Sequence, residues 1–297
     1  MAASVPPAEG RRQRLVGWVC AGLLLLVWTA FHLVSRFVVR DGLTPWDVAM
    51  LRYAGAFLCV LPLAFARGLP RIGPRRLAAV LVFAGFGFPL CAYAGYQLAP
   101  AAHGATVMAA GLPAMTALFT VAAGLGRVTA RRIAGLAVII LGSVLLTWTM
   151  SGAWEGAWRG DLLFLAAVSS WSVYTLLVQR WALPALDTTI AIGLVAAPVF
   201  LPVWYLALPS GMASASWGAI LAQAAFQGAG ASVLAGILYT RSVAALGPAA
   251  TTMIGAAVPG LVALTAWPLL GEALPPPASL AILLVSGGML LAIGRAR

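Results

Sequence analysis

Residues 104–113 read GATVMAAGLP and residues 250–259 read ATTMIGAAVP, so one pattern of small and apolar residues ending in proline occurs twice, 146 positions apart. Aromatic residues recur as well: Tyr93 and Tyr239 are also 146 positions apart, and Trp28 and Trp171 are 143 apart, which requires a gap of a few residues. Chance similarity between alanine-rich segments is the alternative explanation. The matched prolines and tryptophans favour a true internal repeat, which would divide the chain into two halves.

The sequence around this repeat is too apolar for a soluble protein. Of the 297 residues, 62% are hydrophobic and 8% are charged, whereas a soluble domain carries about 25% charged residues. The apolar residues fall in runs of roughly 20, the length that a helix needs to cross about 30 Å of hydrocarbon. The alternation typical of transmembrane strands is missing. Since backbone groups must bond to one another in lipid, a helix bundle follows.

Ten apolar runs have this length, and short connections join them. They are residues 15–39, 45–66, 77–98, 102–125, 133–150, 161–181, 188–208, 217–239, 247–270 and 278–294. We therefore expect an all-α integral membrane protein with ten transmembrane helices. A disordered cytoplasmic tail (1–14) would precede a first repeat (15–150) and a second repeat (160–294). Because five is an odd number, the second repeat enters the membrane in the opposite direction, an arrangement typical of secondary transporters.

The arginines indicate the orientation. All 18 basic residues are arginine, and fourteen fall on one side of the expected bundle: Arg11, Arg12, Arg14, Arg67, Arg71, Arg75, Arg76, Arg127, Arg131, Arg132, Arg180, Arg241, Arg295 and Arg297. By the positive-inside rule both termini are cytoplasmic, which requires an even number of spans. Basic residues placed at the ends of spans do not form a nucleic-acid groove, so the net charge of +11 does not indicate a nucleic-acid partner.

The sequence offers no sign of a cofactor, a metal site or a cleaved leader. Cys20, Cys59 and Cys91 lie inside apolar runs, at spacings that fit neither metal ligands nor disulfides. The first apolar run follows three arginines, as in a signal peptide, but it continues to Val39 without a small-residue cleavage site. We expect a retained first span and no bound metal or cofactor.

Two motifs resemble a known family. Residues 246–259 read LGPAATTMIGAAVP and residues 269–273 read LLGEA, which is similar to the end of the second repeat in EamA-type members of the drug/metabolite transporter superfamily. The resemblance covers nearly the whole chain, and within the family the chain resembles the bacterial aromatic amino-acid exporters of the YddG type. It departs from the family pattern where Arg127 follows Gly126, a position that usually holds glutamate.

The resemblance implies a multi-pass protein of the bacterial inner (plasma) membrane that is not an enzyme. It also implies a central cavity lined mainly by spans one, three, four, six, eight and nine. The expected partners are the lipid bilayer and a small-molecule substrate such as an amino acid. The oligomeric state stays open, and a monomer is compatible with this architecture.

A polar stripe on the first span points towards such a cavity. Trp28, His32, Ser35 and Arg36 are spaced by four, three and one residues, so they share one helical face. A polar stripe on an apolar helix turns away from lipid. His32 could sense protons, because the unperturbed pKa of histidine lies near neutrality, or it could be hydrogen-bonded to a neighbour. Arg36 could mark the outer interface by snorkelling.

Other spans supply matching candidates for substrate binding. Glutamines inside a span must meet protein, water or ligand, because an amide in lipid loses several kcal/mol of hydration. Interhelical packing is the alternative role for each of these side chains. Together with Trp28 and His32, the candidates are Tyr93, Met108, Trp171, Tyr174, Gln223 and Gln227.

Two prolines and one arginine are further candidates for a role in transport. Pro113 and Pro259 would kink two matched helices and act as hinges or gates, or serve only as static bends. Arg52 lies about a third of the way into the second span, where an arginine costs up to about 3 kcal/mol. It could pair with Asp47 or capture an anionic group of a substrate.

The sequence places no carboxylate in the middle of any span. A carboxylate-based proton relay and a purely cationic substrate are therefore disfavoured, and aromatic and amide linings suit a neutral or zwitterionic solute. We expect a secondary transporter that exports small metabolites, amino acids including aromatic ones, by alternating access. The alternatives are other metabolites or xenobiotics, a channel, and an enzyme acting on lipid-linked substrates, for which no convergent catalytic groups are seen.

Overall fold

The computed structural model describes residues 7–38, 42–124, 128–150, 155–246, 251 and 254–293, and every regular element in these parts is helical. Helices occur at each of the ten predicted positions. They are α1 (Pro7–Phe37), α2 (Pro45–Arg67), α3 (Pro74–Leu98), α4 (Ala101–Ala122), α5 (Ala130–Met150), α6 (Ala157–Trp181), α7 (Ala185–Ala207), α8 (Trp217–Leu246), α9 (Val258–Leu270) and α10 (Pro276–Ile293). The prediction of an all-α fold is confirmed.

Most of these helices are long and apolar enough to cross a membrane. Within the described residues, seven meet both conditions, namely α1 to α4 and α6 to α8. Two further apolar helices, α9 and α10, are shorter. Large apolar side chains on their outer faces are exposed, as expected of surfaces that face lipid rather than water: Leu58, Phe65, Leu206, Leu264 and Leu283 are each more than 60% exposed. The protein is therefore a multi-pass membrane protein.

Two helix starts differ from the sequence-based expectation. The first helix begins at Pro7, so residues 7–14 are helical although they were predicted to belong to a disordered tail. Proline is favoured in the first turn of a helix, because an N–H at that position would have no intrahelical acceptor. The ninth helix begins at Val258, after a turn at Ala256 and Ala257. The ninth span was predicted to run unbroken from residue 247.

Two helices contain a widened, π-helical segment. In α3 it covers Leu81–Gly87, and in α8 it covers Ala224–Leu234. Side chains from neighbouring helices bond to carbonyls of the first segment: the Tyr53 hydroxyl donates to Gly85 O at 2.7 Å, and the Ser170 hydroxyl donates to Phe83 O at 2.8 Å. Such segments are uncommon inside α-helices and are frequent at functional sites.

The packing order brings helices from the two halves together. α6 packs against α3 and α4, whereas α1 packs against α8 and α9; α5 packs along α10. α2 lies between α7 and the π-helical segment of α8. The α2–α8 crossing is close because two glycines meet there: a methyl group at Gly55 would lie 2.6 Å from the Ala224 carbonyl oxygen and 3.0 Å from Gly228 Cα.

This crossing gives a direct test of the packing. Gly55→Ala should destabilise the protein by about 1–3 kcal/mol, the usual effect of overpacking, because backbone atoms of α8 occupy the space of the new methyl group. Gly236→Ala is the matched control, since nothing lies within 4 Å of that position and alanine favours helix. Thermal unfolding in detergent measures both variants. Equal midpoints for the two variants would contradict the described crossing.

Candidate functional site

Buried polar side chains gather towards one end of the bundle. This end, which we name the polar end, is where α1 and α3 finish and where α2, α4 and α6 begin. The side chains concerned are buried in the bundle: Ser35, Arg36, Asp47, His103, Gln223 and Glu272. The opposite end carries exposed arginines on the described residues, among them Arg67, Arg75, Arg131, Arg180 and Arg241. The two ends therefore differ in chemistry as well as in charge.

A single carboxylate connects three helices at the polar end. Glu272 follows α9, and its Oε1 accepts a hydrogen bond from Arg36 Nε of α1 at 2.7 Å. Its Oε2 accepts from the Ala101 N–H at the start of α4 at 2.9 Å. Arg36 Nη1 also donates to the carbonyl of Tyr96 on α3 at 2.6 Å. We call this set of four residues the Glu272 bridge.

The local sequence explains why Glu272 points inward. Gly271 has a φ of +68°, the left-handed conformation that lets a glycine end a helix. Its N–H bonds to Trp267 O, and the N–H of Glu272 bonds to Ala266 O, so the chain turns back over the end of α9. At the other partner, the first N–H groups of α4 have no intrahelical acceptor, which makes them natural donors to a carboxylate.

The Glu272 bridge corrects the interpretation of Arg36. A snorkelling side chain would place its guanidinium in water, but Arg36 is only 9% exposed and forms a buried ion pair. Sequence reasoning missed this role because Arg36 and Glu272 are 236 residues apart. The Gly-Glu pair in LLGEA was the only available signal.

Histidines and tyrosines add two more contacts near this end. His32 Nδ1 is hydrogen-bonded to the Tyr96 hydroxyl, and both side chains are buried. Met108 Sδ lies 3.8 Å from the same hydroxyl. On the other side of the bundle, His103 Nδ1 lies 3.0 Å from Asp161 Oδ1, which joins α4 to α6. The sequence left two roles open for His32, and the structure shows a hydrogen bond to a neighbour, Tyr96. Met108 lies beside the hydroxyl of that tyrosine.

A chain of hydrogen-bonded amide, phenol and hydroxyl groups, which we call the amide–phenol chain, connects α1, α3 and α8. Tyr93 of α3 donates to Gln227 Oε1 at 3.0 Å, and Gln227 Nε2 donates to Ser35 Oγ of α1 at 3.1 Å. Gln223, one turn away on α8, donates to Val34 O at 3.0 Å. Three predicted site residues, Tyr93, Gln223 and Gln227, therefore form one network between α1, α3 and α8.

Arg52 joins this network, and the predicted pairing with Asp47 is wrong. Arg52 Nη1 donates to the Tyr93 hydroxyl at 3.3 Å, and no ion pair to Arg52 occurs in the described parts of the chain. Asp47 is occupied elsewhere, because it closes the capping box of α2 with Thr44. It also accepts from Trp204 Nε1, Ser210 Oγ and the Gly211 N–H at 2.6–2.8 Å, which ties α2 to the end of α7.

Aromatic rings form a wall at mid-depth. Trp171 of α6 lies 5.0 Å from Tyr174 and 5.1 Å from Phe88 of α3, measured between ring centroids. Phe88 stacks on Phe31 of α1 at 6.2 Å, and Phe31 also contacts Tyr93. This aromatic wall links the predicted residues Trp171 and Tyr174 to the amide–phenol chain.

Trp28 stands apart from that wall. Its ring lies 6.3 Å from Tyr239 of α8, at an angle of 38°. The structure therefore brings together most of the predicted site residues but gives Trp28 a separate aromatic partner. Trp28, Trp171 and Tyr174 are each only partly buried, so their rings keep surface that a solute could contact.

The two prolines do not have equivalent settings. Pro113 lies within a continuous α4, as predicted. Pro259 is in the first turn of α9, directly after the turn at Ala256 and Ala257. A matched pair of midspan kinks was expected, and the second is instead a break between helical segments, where proline is well tolerated because that first-turn N–H has no intrahelical acceptor.

Among the described residues, no group of three or more His, Cys, Asp or Glu side chains is placed to hold a metal ion. The departure from the family pattern at Gly126 and Arg127 lies outside the described residues, as do residues 250, 252 and 253 of the second repeat motif.

Comparison with known proteins supports part of the expected relationship. Residues 16–148 match the EamA-like transporter family. No curated protein matches the chain. One solved structure, described as the crystal structure of a protein, is 21% identical with a TM-score of 0.65, and the alignment covers 95% of this chain and 96% of that one. The two therefore share a fold over nearly their whole length.

The Glu272 bridge makes a prediction about stability. Glu272→Gln should destabilise the protein by about 3–5 kcal/mol, because breaking a buried ion pair by changing one partner is strongly destabilising. Replacing both partners, in Arg36→Leu/Glu272→Leu, should cost clearly less than the sum of the two single leucine variants. Thermal unfolding of the purified variants measures the coupling.

The matched control for the bridge is Glu155→Gln, which changes an exposed glutamate and should alter stability by no more than about 0.5 kcal/mol. Additive losses in the double leucine variant would show that Arg36 and Glu272 do not interact.

Proposed function

We propose that this membrane protein is a secondary transporter that exports small metabolites, including aromatic amino acids. The proposal is supported by the match of residues 16–148 to the EamA-like transporter family. In this proposal two inverted five-helix repeats alternate around a site between them. The observation that carries it is the Glu272 bridge, which joins the two halves through buried polar contacts at one end of the bundle.

The repeat is supported by features that recur in the two halves. The π-helical segments in α3 and α8 occupy corresponding positions, since residues 81–87 correspond to residues 227–233 at the offset of 146. The packing recurs too: α6 of the second half lies on α3 and α4, as α1 of the first half lies on α8 and α9. Such exchange of partners between halves is what a pseudo-two-fold axis in the membrane plane produces.

The contacts that close the bundle are of two kinds. At the polar end they include the buried ion pair between Arg36 and Glu272. At the opposite end, Arg131 Nε donates to Leu291 O in an exposed bond at 3.1 Å between α5 and α10. A buried ion pair has two discrete arrangements, made or broken, and can therefore act as a gate. By the positive-inside rule, the polar end faces outward and both termini are cytoplasmic.

The lining favours a neutral or zwitterionic solute that carries an aromatic ring. Trp171, Tyr174 and Phe88 offer ring faces and edges, on which a planar side chain can stack. Gln223 and Gln227 supply amide groups within one network. A transporter of other metabolites or of xenobiotics is the second candidate, because any planar solute can use the same ring faces.

Transport can be tested directly in proteoliposomes that contain the purified protein. We expect saturable uptake of labelled phenylalanine that unlabelled tryptophan competes away. Trp171→Ala should raise the KM for phenylalanine about 2- to 10-fold, the effect of losing one aromatic contact. Trp267→Ala is the matched control, because Trp267 is 68% exposed on α9, and it should leave the KM unchanged.

Other outcomes have definite meanings. Uptake of nucleosides, sugars or dyes without uptake of phenylalanine would replace the amino-acid assignment by the second candidate. A steady ionic conductance in a planar bilayer would contradict a carrier mechanism and indicate a channel.

A further inference from the structure

Arg52 is a half-buried cation, and no carboxylate pairs with it among the residues that the structure describes. It lies on α2 two turns from the helix start, on the face that holds the buried residues Ala49 and Ala56. The lipid-facing residues of α2, such as Leu58 and Phe65, lie on a different face. A guanidinium is always charged in proteins, and an intramembrane charge is expected to face the bundle interior with a partner or a functional role.

The observed partner is weak and neutral. A single hydrogen bond, from Nη1 to the Tyr93 hydroxyl at 3.3 Å, holds the guanidinium. In the described parts of the chain it has no carboxylate partner, since Asp47 bonds to the start of α2 and the end of α7. A guanidinium has five N–H donors in a fork that matches a carboxylate. Within the described parts of the chain, the bond to Tyr93 occupies one of the five.

The hydrogen bonds of Tyr93 and Gln227 leave the remaining N–H donors of Arg52 available to a ligand. Tyr93 accepts from Arg52 and gives its own proton to Gln227 Oε1. The amide nitrogen of Gln227 is directed to Ser35. The amide oxygen of Gln227 thus accepts from Tyr93 and not from Arg52. The Arg52 side chain remains partly exposed.

From this arrangement we infer that Arg52 is a specificity residue that binds the carboxylate of the transported solute. The inference rests on the proposed function, because it assigns one group of the substrate to the same site. With the carboxylate on Arg52, the rest of the solute lies towards Tyr93 and Phe31, whose rings are 6.2 Å apart and lead to the aromatic wall. An aromatic carboxylate carries the two chemical groups that this path would bind, a carboxylate at Arg52 and a ring at the aromatic wall.

The same arrangement gives the α-amino group a minor role. In the described residues of the spans, no carboxylate lies beside the amide–phenol chain or the aromatic wall. An ammonium group would meet only ring faces, which attract it less strongly than a carboxylate does. The ligand class is therefore aromatic carboxylates, with or without an α-amino group, and aromatic amines that lack a carboxylate are expected to bind more weakly.

A ligand panel on the unaltered protein tests the inference without any variant. Isothermal titration of the detergent-purified protein with phenylalanine, 3-phenylpropionate, phenylalanine amide and phenethylamine compares the two charged groups. We expect the two carboxylates to bind with Kd values within about tenfold of each other. We expect the amide and the amine to bind about 10- to 100-fold more weakly, the range for losing a hydrogen bond to a charged group.

Variants then assign the effect to Arg52. Arg52→Gln should raise the Kd of both carboxylates about 10- to 100-fold and leave the weak binding of phenethylamine unchanged, whereas Arg52→Lys should restore part of the affinity. Arg241→Gln removes an exposed arginine and should change none of these values. Gel filtration and thermal unfolding verify that each variant is folded.

The outcomes separate this inference from the transport proposal. Tight binding of phenethylamine, equal affinity of the amide and the acid, or an unchanged Kd in Arg52→Gln would overturn the role of Arg52 even if phenylalanine is transported. If carboxylates bind in a manner that depends on Arg52 but no uptake into proteoliposomes occurs, the role of Arg52 is supported and the proposal that the protein is a transporter is contradicted. Failure of the unaltered protein to bind either carboxylate would overturn the inference.

Discussion

Burial of charge in an apolar bundle is the constraint on which the rest of the structure depends, and Glu272 shows how it is met. A carboxylate away from water is tolerated only when both oxygens are paired, and Arg36 and the Ala101 N–H supply those partners. Because Arg36, Ala101 and Glu272 belong to distant parts of the chain, satisfying one carboxylate holds α1, α4 and the end of α9 in register. The polar end is consequently closed by a few specific bonds rather than by general apolar packing.

The position of the candidate site follows from that closure. With the end of α1 held by the Glu272 bridge, Ser35 and Val34 meet the glutamines of α8. The glycine contact between Gly55 and Gly228 lets α2 approach α8, which brings Arg52 to Tyr93. The polar network and the aromatic wall thus lie side by side between the halves, where an amphipathic solute can use both.

The helices could be predicted from the sequence, because a span is a local pattern of about 20 apolar residues. The polar face of α1 was equally local, and His32, Ser35 and Arg36 do point to protein partners. Those partners could not be predicted, since Arg36 and Glu272 meet only after the whole bundle has formed. Arg52 and Asp47 illustrate the opposite error: they are close in sequence, but Asp47 serves the helix start that it belongs to. The setting of Pro259 was missed because a proline indicates an interruption without showing whether the helix bends or restarts.

Crosslinking across the polar end tests the central claim, that the two halves must separate there during transport. Phe37 and Ala273, which are the sequence neighbours of Arg36 and Glu272 and are not fully buried, would be replaced by cysteine so that the Glu272 bridge stays intact. Cys20, Cys59 and Cys91 would be changed to serine, and a short, reducible bifunctional thiol reagent would join the two new cysteines. Phenylalanine uptake is measured before crosslinking, after it and after reduction, with each single-cysteine variant as a control. The account predicts that uptake stops in the crosslinked double variant and returns on reduction. Uptake that continues at an unchanged rate with the crosslink in place would contradict alternating access at this end of the bundle.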